Sequence, residues 1–326
     1  MAGSGGSITH RMIETNGINM HIAEQGSGPL VLLIHGFPEL WYSWRHQIVA
    51  LAEAGYHVVA PDMRGYGDTE VPPDFHHYTY FHIVGDLIGL LDALGHPKAF
   101  VVGHDWGSLI ASHLCLFRPD RVIALVNISV PFQVRDPNKK PIEKMRSYFG
   151  EGYYMCRFQE PGRAEEEFAR YDCTEVIKRL LLATKTSLFA APSNEGIIDA
   201  LEAPATLPSW ITEEEIQYFA KQFEKTGFTG GFNYYRALDL NWELLAPWTG
   251  GNITVPTKYI VGDKDLVYNT PGTKNYVHGG GYKKTVPFLE EVVVLEGGHH
   301  FIQQEKPEEI SLHILEFIGK FRLSSL

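Results

Sequence analysis

Short apolar runs alternate with longer stretches of helical periodicity over the first part of the chain. Two stretches of alternating apolar and polar residues, 11–15 and 18–25, flank Asn16-Gly17 and predict a β-hairpin. Runs typical of buried strands follow at residues 30–34, 57–60, 99–102 and 124–129. Helical patterns lie between them at residues 41–54, 80–94 and 108–117. This alternation predicts an α/β fold with a mostly parallel sheet, flanked by helices and edged by the hairpin.

The pattern changes near residue 131. Residues 132–247 contain helical stretches rich in Glu, Lys and aromatic side chains, with no run typical of a buried strand. Strand-like runs and a closing helical pattern return at residues 257–261, 292–295 and 308–321. We therefore expect one core domain made of residues 1–131 and 248–326, with 132–247 inserted as a helical cap, or lid. A separate domain of unrelated function is disfavoured, because the candidate catalytic residues lie on both sides of the insertion.

The composition is ordinary for a soluble globular protein, with 44% hydrophobic and 21% charged residues. A net charge of −11 argues against nucleic acid or an anionic membrane as the partner. Three cysteines without metal or disulfide spacing favour a reducing, cytoplasmic compartment, and no apolar run is long enough to span a membrane. The Gly/Ser-rich N-terminus has no apolar core typical of a signal peptide.

The C-terminal Ser-Ser-Leu is only weakly similar to the peroxisomal Ser-Lys-Leu signal, because the basic middle residue is missing. A peroxisomal location therefore remains the lesser alternative to the cytoplasm. A monomer and a homodimer are both compatible with the sequence.

The segment 103–107, Gly-His-Asp-Trp-Gly, joins a predicted strand to a predicted helix. This arrangement is typical of a nucleophile elbow, a sharp turn that exposes one side chain above the end of a sheet. The apex is Asp105, and the flanking Gly103 and Gly107 are small enough for the strand and helix to pass closely. The alternative is a purely structural turn with the same spacing.

An aspartate at the apex narrows the chemistry. Its carboxylate is already ionised at neutral pH and attacks without a base. Attack on an ester would produce a labile anhydride, whereas attack on an electrophilic sp3 carbon produces an alkyl ester that water can cleave. The favoured substrates are therefore epoxides or alkyl halides.

Two further polar segments follow predicted strands. Residues 262–265 read Gly-Asp-Lys-Asp, and residues 296–301 read Glu-Gly-Gly-His-His-Phe. The order of nucleophile, acid and histidine matches that of hydrolytic triads on α/β sheets. A histidine here would activate the water that attacks the ester, and the acid would orient its ring. The residue types alone leave both members of each Asp and His pair open.

The oxyanion that forms on Asp105 during ester hydrolysis needs hydrogen-bond donors. The backbone N–H of Trp106 directly follows the nucleophile, and that of Phe37 lies in the loop after an earlier strand. Pro38 stiffens this loop. His35 lies at the end of the same strand, where ligands bind in such sheets.

The segments 35–38, 64–69, 103–107 and 300–301, with Asp265, resemble the epoxide hydrolases of the α/β-hydrolase fold. Residues 36–45 and 233–236 are similar to the plant soluble type in particular, and the resemblance extends from about residue 13 to residue 321. It implies hydrolysis of epoxides to vicinal diols, without cofactor or metal. Lipid epoxides, such as those of fatty acids, are the implied natural substrates, with aryl epoxides also accepted and a role in detoxification.

The resemblance also implies the roles of individual residues. It selects Asp265 over Asp263 and His300 over His299. It further implies that two tyrosines of the cap, Tyr154 and Tyr235, hydrogen-bond the ring oxygen of the epoxide and protonate it. Phenols suit this task because they stay protonated at neutral pH yet can donate a proton to the alkoxide of an opened epoxide.

Four residues close to the expected site are candidates for substrate binding or support: His35, Pro38, Glu39 and His104. His104 and Glu39 could hold the hydrolytic water. The histidine pairs at 76–77 and 299–300 lack the spacing of a metal site.

Two rival functions remain in view. Haloalkane dehalogenases share the fold and the aspartate, but they usually have Asn at the position of Phe37. The related fluoroacetate dehalogenases usually have Arg at the position of Trp106. A non-catalytic ligand receptor on the same scaffold is the second rival, and the complete set of catalytic residues speaks against it.

Overall fold

The computed structural model of the chain describes residues 6–183, 189–192 and 195–322. The start of the N-terminal Gly/Ser stretch and the C-terminal Ser-Ser-Leu lie outside the described residues.

An eight-stranded sheet forms the centre of the molecule, in the order β1-β2-β4-β3-β5-β6-β7-β8. Its strands are β1 Thr9–Thr15, β2 Ile18–Gln25, β3 Leu30–Ile34, β4 His57–Pro61, β5 Ala99–His104, β6 Val122–Ile128, β7 Thr257–Gly262 and β8 Leu289–Leu295. Strands β1 and β2 pair antiparallel, as do β2 and β4, and the remaining pairs are parallel. The predicted hairpin turns at Asn16 and Gly17, which both have positive φ. The predicted α/β fold class is therefore confirmed.

Fourteen α-helices occur in the described part of the chain. They are α1 Arg45–Glu53, α2 Tyr80–Ala93, α3 Trp106–Phe117, α4 Pro141–Phe149, α5 Tyr154–Arg157, α6 Arg163–Phe168, α7 Cys173–Leu182, α8 Glu213–Thr226, α9 Thr229–Arg236, α10 Leu238–Leu244, α11 Thr273–His278, α12 Gly281–Thr285, α13 Ile302–Glu305 and α14 Pro307–Gly319. Short 3₁₀ turns lie at Trp41–Trp44, Phe75–Tyr78, Pro119–Arg121 and Ala246–Trp248. The helix predicted at 41–54 is thus a 3₁₀ turn followed by α1.

Helices cover both faces of the parallel strands. Leu32 and Val101 belong to a buried cluster that includes residues of α2 and α3, whereas Leu33 and Val102 belong to a second cluster with α1 and α14. Successive strand residues point to opposite faces, so each face needs apolar side chains. This explains why the central strands read as continuous apolar runs rather than as an alternating pattern.

The chain between β6 and β7 is helical, from α4 to α10. Within its described residues the sole β-type pairing is an isolated bridge between Tyr153 and Ala190. The division into a core and an inserted cap stays a prediction. Among the described helices, none combines the length and the apolar character needed to cross a membrane.

Candidate active site

Asp105 lies between β5 and α3 in a strained backbone conformation, with φ 52° and ψ −120°. Such a positive φ is costly for a residue other than glycine. A Cβ atom on Gly103 would overlap the backbone oxygen of Gly107, and one on Gly107 would overlap the carbonyl of Ile34. These close approaches are those of the sharp turn that the sequence predicts, with Asp105 at its apex.

The carboxylate of Asp105 faces a cleft. It is hydrogen-bonded by the loop of residues 35–38 after β3, which we call the oxyanion loop. Its Oδ1 accepts a hydrogen bond from the Phe37 backbone N–H at 2.9 Å. A Cβ on Gly36 would overlap this carboxylate, so the loop can approach only with glycine there. Trp106 is the first residue of α3, where a backbone N–H has no acceptor within the helix. Two backbone donors thus lie beside Asp105, one in contact and one unpaired within its helix.

His300 lies between two carboxylates. Its Nδ1 is 3.0 Å from Oδ2 of Asp265, and its Nε2 is 3.4 Å from Oδ2 of Asp105. Asp265 is fully buried, and its Oδ1 accepts hydrogen bonds from the backbone N–H groups of Val267 and Tyr268. Asp265 is therefore fixed by its own loop with one oxygen directed at His300.

The surrounding groups favour the charged forms of both His300 and Asp105. Burial alone would lower the pKa of His300, but Asp265 and Asp105 outweigh it and raise this pKa well above its ordinary value. Burial would raise the pKa of Asp105, yet His300 and the Phe37 N–H lower it below its ordinary value. Asp105 is therefore an ionised carboxylate at neutral pH.

In each of the two pairs that the residue types left open, the two members have different partners. Asp263 accepts a hydrogen bond from the Gly297 backbone N–H at 2.7 Å, so it closes its own loop. The His299 backbone N–H donates to Glu305 at 2.9 Å, and its ring faces the same carboxylate. Asp265 and His300 are the members that meet each other next to Asp105. The geometry thus agrees with the choice that the resemblance implied.

Tyr154 at the start of α5 and Tyr235 in α9 lie side by side, with ring centroids 5.7 Å apart. The Tyr235 ring packs on Phe37 and on Trp106, at centroid distances of 5.7 and 4.9 Å. Burial, with neighbouring phenols and Asp105, raises the pKa of both tyrosines well above its ordinary value. Both phenols are therefore protonated at neutral pH. The neighbouring Tyr234 instead donates to the Arg64 carbonyl at 2.8 Å.

These groups share one cleft of about 40 Å³, whose lining residues are Phe37, Pro38, Asp105, Tyr154, Phe158, Leu180, Ala183, Phe189, Ile197, Tyr235, Leu266, Val267, His300 and Phe301. This free volume holds only a few water molecules. A larger cavity of about 600 Å³ lies beside other residues of α9, among them Asn233 and Arg236. It contains none of the candidate catalytic residues, so size alone would point to the wrong place.

His35 supports the oxyanion loop rather than the cleft. Its Nε2 accepts a hydrogen bond from the Met63 backbone N–H at 2.9 Å, and its Nδ1 donates to the Gly36 carbonyl at 2.9 Å. Burial lowers the pKa of His35, which keeps the ring neutral. The described contacts include no hydrogen bond from His35 to Asp105.

Glu39 and His104 form a fully buried pair beneath the cleft. One oxygen of Glu39 accepts from the Gly36 backbone N–H and from His104 Nδ1, at 2.9 and 2.7 Å. The other accepts from Gln303 Nε2 at 2.6 Å. His104 Nε2 faces the His300 carbonyl at 2.7 Å, a hydrogen bond when that nitrogen carries a proton. The pair thus connects the oxyanion loop to the backbone of His300.

The sequence alone does not identify two residues that lie near His300. Gln303 holds Glu39, and Ser129 contacts the His300 ring, with its Oγ 3.1 Å from Nδ1. Neither belongs to a recognisable motif. The one signal for Ser129 is its place directly after a predicted buried strand, which many unrelated serines share.

One group of described residues has the spacing of a metal site. His21, Asp62 and Asp68 offer ligand atoms within 4.8 Å of one another. These side chains already have partners, because His21 Nδ1 contacts Asp62 at 2.8 Å and Lys225 pairs with Asp68. None of the three is a candidate catalytic residue. The expectation that catalysis needs no metal stays a prediction.

Comparisons with known proteins agree with this geometry. A family described as the alpha/beta hydrolase fold matches residues 29–307. Epoxide hydrolase 2 from Siraitia grosvenorii is 57% identical over 314 residues, covering 96% of this chain and 99% of the relative. The chain belongs to the epoxide hydrolases of the alpha/beta hydrolase fold.

Likeness to other epoxide hydrolases extends across distant organisms and into solved structures. Epoxide hydrolase A from Mycobacterium tuberculosis is 40% identical, with 98% of this chain and 99% of the relative covered. The structure of potato (Solanum tuberosum) epoxide hydrolase I superposes with a TM-score of 0.93 and 56% identity, covering 97% of this chain and all of that one. The structure of a mutant of Vigna radiata epoxide hydrolase superposes with a TM-score of 0.95 and 53% identity, covering 96% of this chain and 99% of that one. The resemblance to plant epoxide hydrolases inferred from the sequence is confirmed.

Proposed function

We propose that this chain hydrolyses epoxides to vicinal diols through a covalent ester on Asp105. The observation that carries the proposal is the convergence of an ionised Asp105, the His300–Asp265 pair and two protonated phenols on one cleft. Each group matches one step of epoxide hydrolysis. No cofactor or metal enters the proposed steps.

Ester formation comes first. Oδ1 of Asp105 is held by the Phe37 N–H, which leaves Oδ2 to attack a ring carbon of the epoxide. The carbon–oxygen bond of the ring breaks, and the resulting alkoxide takes a proton from Tyr154 or Tyr235. Two neighbouring phenols stabilise the negative charge that develops on the ring oxygen. The product of this step is an alkyl ester of Asp105 and a tyrosinate.

Water then restores the enzyme. Once Asp105 is a neutral ester, His300 passes the proton that it carries in the free enzyme to the tyrosinate. Its neutral Nε2 then takes one proton from water, and the hydroxide attacks the ester carbonyl of Asp105. The backbone N–H groups of Phe37 and Trp106 stabilise the tetrahedral oxyanion. Collapse releases the diol, whose alkoxide takes the proton from His300. The second proton of the water, now on the Asp105 carboxyl, passes to Nε2 of His300 and restores the charged pair of the free enzyme.

We assign residues 132–247 to a cap over a core of residues 1–131 and 248–326. Tyr235, on α9 of the insertion, supports this division, since its ring packs on Phe37 and Trp106 of the core. The apolar lining of the cleft supports fatty-acid or aryl epoxides as substrates. A cytoplasmic location and a monomer or homodimer complete the proposal.

A single turnover in heavy-oxygen water, with enzyme in excess, tests the covalent route. The diol should be mostly unlabelled, and the label should appear on the peptide that contains Asp105. His300→Ala should still form the ester, because a carboxylate needs no base, and its intact mass should rise by one substrate. Asp265→Ala should accumulate the ester less completely. Label in the first-turnover diol, with no adduct on His300→Ala, would show that Asp105 acts as a general base instead.

Substrate class needs a separate assay with styrene oxide, a fatty-acid epoxide and a chloroalkane side by side. Turnover of both epoxides and not of the chloroalkane is the expected result. Release of chloride at a comparable rate would favour the dehalogenase alternative. Binding of an epoxide without release of diol would favour the receptor.

A further inference from the structure

Ser129 directly follows β6, and its backbone has φ 73°, a conformation that serine rarely adopts. A strained residue of this kind persists only where its surroundings hold it in place. Its N–H donates to the Ile260 carbonyl at 2.9 Å, and its carbonyl accepts from the Tyr259 hydroxyl at 2.6 Å. Both partners lie on β7, the strand that leads to Asp265. The position of Ser129 is therefore coupled to that of Asp265.

The residue after Ser129 is tied to the nucleophile instead. The Ser108 hydroxyl, in the first turn of α3, donates to the Val130 carbonyl at 2.6 Å. The segment 129–130 is thus fixed on one side by the strand that leads to Asp265 and on the other by the helix that follows Asp105. A serine held in this way has little freedom to move relative to either group.

The strained backbone places a fully buried hydroxyl against the His300 ring, with Oγ 3.1 Å from Nδ1. The same nitrogen is 3.0 Å from Oδ2 of Asp265. A ring nitrogen that faces a carboxylate carries a proton, so its N–H has two oxygen acceptors. A hydrogen bond of this type strengthens when the ring becomes positively charged.

We propose that Ser129 is a positioning residue for ester hydrolysis, acting through His300 as a second acceptor for the Nδ1 proton. It stabilises the imidazolium that forms when His300 takes a proton from water, and it keeps Nε2 directed at Asp105. The proposal rests on the proposed role of His300 in hydrolysis. Ser129 has no part in the attack of Asp105 on the epoxide, because that step needs no base.

In the part of the chain that the structure describes, three titratable groups face the His300 ring. They are Asp105 from the elbow, Asp265 from the loop after β7, and His104 from the end of β5, whose ring centroid is 5.0 Å away. Removal of the Ser129 hydroxyl leaves all three in place. A change in the pH dependence of hydrolysis in a Ser129 variant is therefore attributable to the lost hydrogen bond.

The test uses two full-length variants, Ser129→Ala and Ser129→Gly. Both remove the hydroxyl, but only glycine relieves the positive φ, so the glycine variant carries the test if the alanine variant does not fold. Stopped-flow measurement should show ester formation at the wild-type rate and ester hydrolysis slower on the order of tenfold in both. The acidic limb of hydrolysis should move to lower pH, because the lost acceptor stabilised the protonated ring.

Ser112→Ala is the matched control. Its hydroxyl is fully buried, donates to the Ser108 carbonyl at 2.8 Å and accepts from Asn127 Nδ2 at 2.9 Å, without contact to His300. This variant should leave both rates and the acidic limb at wild-type values.

Three results would overturn the proposal. Hydrolysis at the wild-type rate with an unmoved acidic limb, in variants of an enzyme that forms the ester, would show that Ser129 has no role in this step. Equal slowing of both half-reactions would show a general structural role. Absence of any ester in the wild-type enzyme would refute the mechanism on which the proposal rests, and is recognised separately by intact mass.

Discussion

At the scale of single residues, the charge of Asp105 controls the basicity of His300. The free enzyme holds His300 between two carboxylates, which raise its pKa well above the ordinary value. In the proposed mechanism, alkylation converts Asp105 to a neutral ester and so removes one of these two negative charges. The pKa of His300 then falls, and the ring becomes able to accept a proton from water at the step that needs a base.

Asp105→Ala should lower the pKa of His300, because it removes a carboxylate without adding a charge. NMR titration of the ring, assigned with a His300→Gln variant, measures this shift. His113 serves as an internal control, since burial outweighs its hydrogen bond to the Leu109 carbonyl and lowers its pKa to about 4, without any influence of Asp105. An unchanged pKa of His300 in Asp105→Ala would contradict the coupling.

The same raised pKa affects stability. Protonation of His300 stabilises the folded protein fully below the unfolded pKa, about 6.5. This contribution is lost as the pH rises through the higher folded pKa. The stability difference between the wild type and a His300→Gln variant should therefore shrink at alkaline pH.

Tyr154→Phe and Tyr235→Phe should each slow ester formation, and the double variant should nearly abolish it. Loss of one preorganised donor to a developing oxyanion commonly costs roughly a hundredfold in rate. Tyr234→Phe is the matched control, because its phenol bonds the Arg64 carbonyl instead. If both single variants form the ester at the wild-type rate, the tyrosines have another role.

At the scale of elements, α9 packs Tyr235 against Phe37 and Trp106. A Cβ on Gly230 would overlap the Gly65 carbonyl oxygen. A Cβ on Gly231 would come within 2.7 Å of the Phe37 ring and 3.0 Å of the Tyr66 hydroxyl. Two consecutive glycines are unfavourable within a helix, so close packing outweighs helix propensity here. The approach places Tyr235 against Phe37, the residue whose N–H binds Asp105.

Gly231→Ala should displace α9 from Phe37, slow ester formation and destabilise the protein by about 1–3 kcal/mol, as overpacking typically does. Gly319→Ala is the matched control. Gly319 also lies in a helix, but an added Cβ meets no atom within 4 Å, so alanine there should be neutral or slightly stabilising. Wild-type ester formation in Gly231→Ala would show that the close approach is dispensable.

At the scale of the whole molecule, polar and aromatic contacts join α8 and α9 to residues that precede β6. The Trp41 indole N–H donates to the Tyr218 hydroxyl of α8 at 2.8 Å, and Arg45 pairs with Glu215 of the same helix at 2.7 Å. Further contacts run through α9 and the cleft itself. The two halves of the site therefore depend on how these parts of the chain pack.

Chelation should leave activity intact, because every proposed step uses protein groups and water. The assay compares epoxide turnover before and after extended treatment with EDTA. His21→Ala, which disrupts the one metal-like group among the described residues, should likewise retain ester formation. Loss of activity with chelator that a single added metal restores would refute the cofactor-free mechanism.

The sequence by itself determined the strands of this protein, the elbow at Asp105 and the class of reaction that it favours. Apolar runs set by burial on both faces of a sheet predict its strands, and the small residues beside Asp105 predict the elbow, because both depend on nearby residues. The carboxylate at the apex then favours attack on an electrophilic sp3 carbon over attack on an ester. These features need no knowledge of distant contacts.

Tertiary structure decided which side chains meet. Asp263 and Asp265 are two residues apart, yet only Asp265 turns toward His300, because loop hydrogen bonds direct each carboxylate. Ser129 contacts a ring 171 positions away, and Gln303 reaches a carboxylate 264 positions away. Such contacts depend on strand order and loop packing, which bring together segments whose own sequences carry no record of one another.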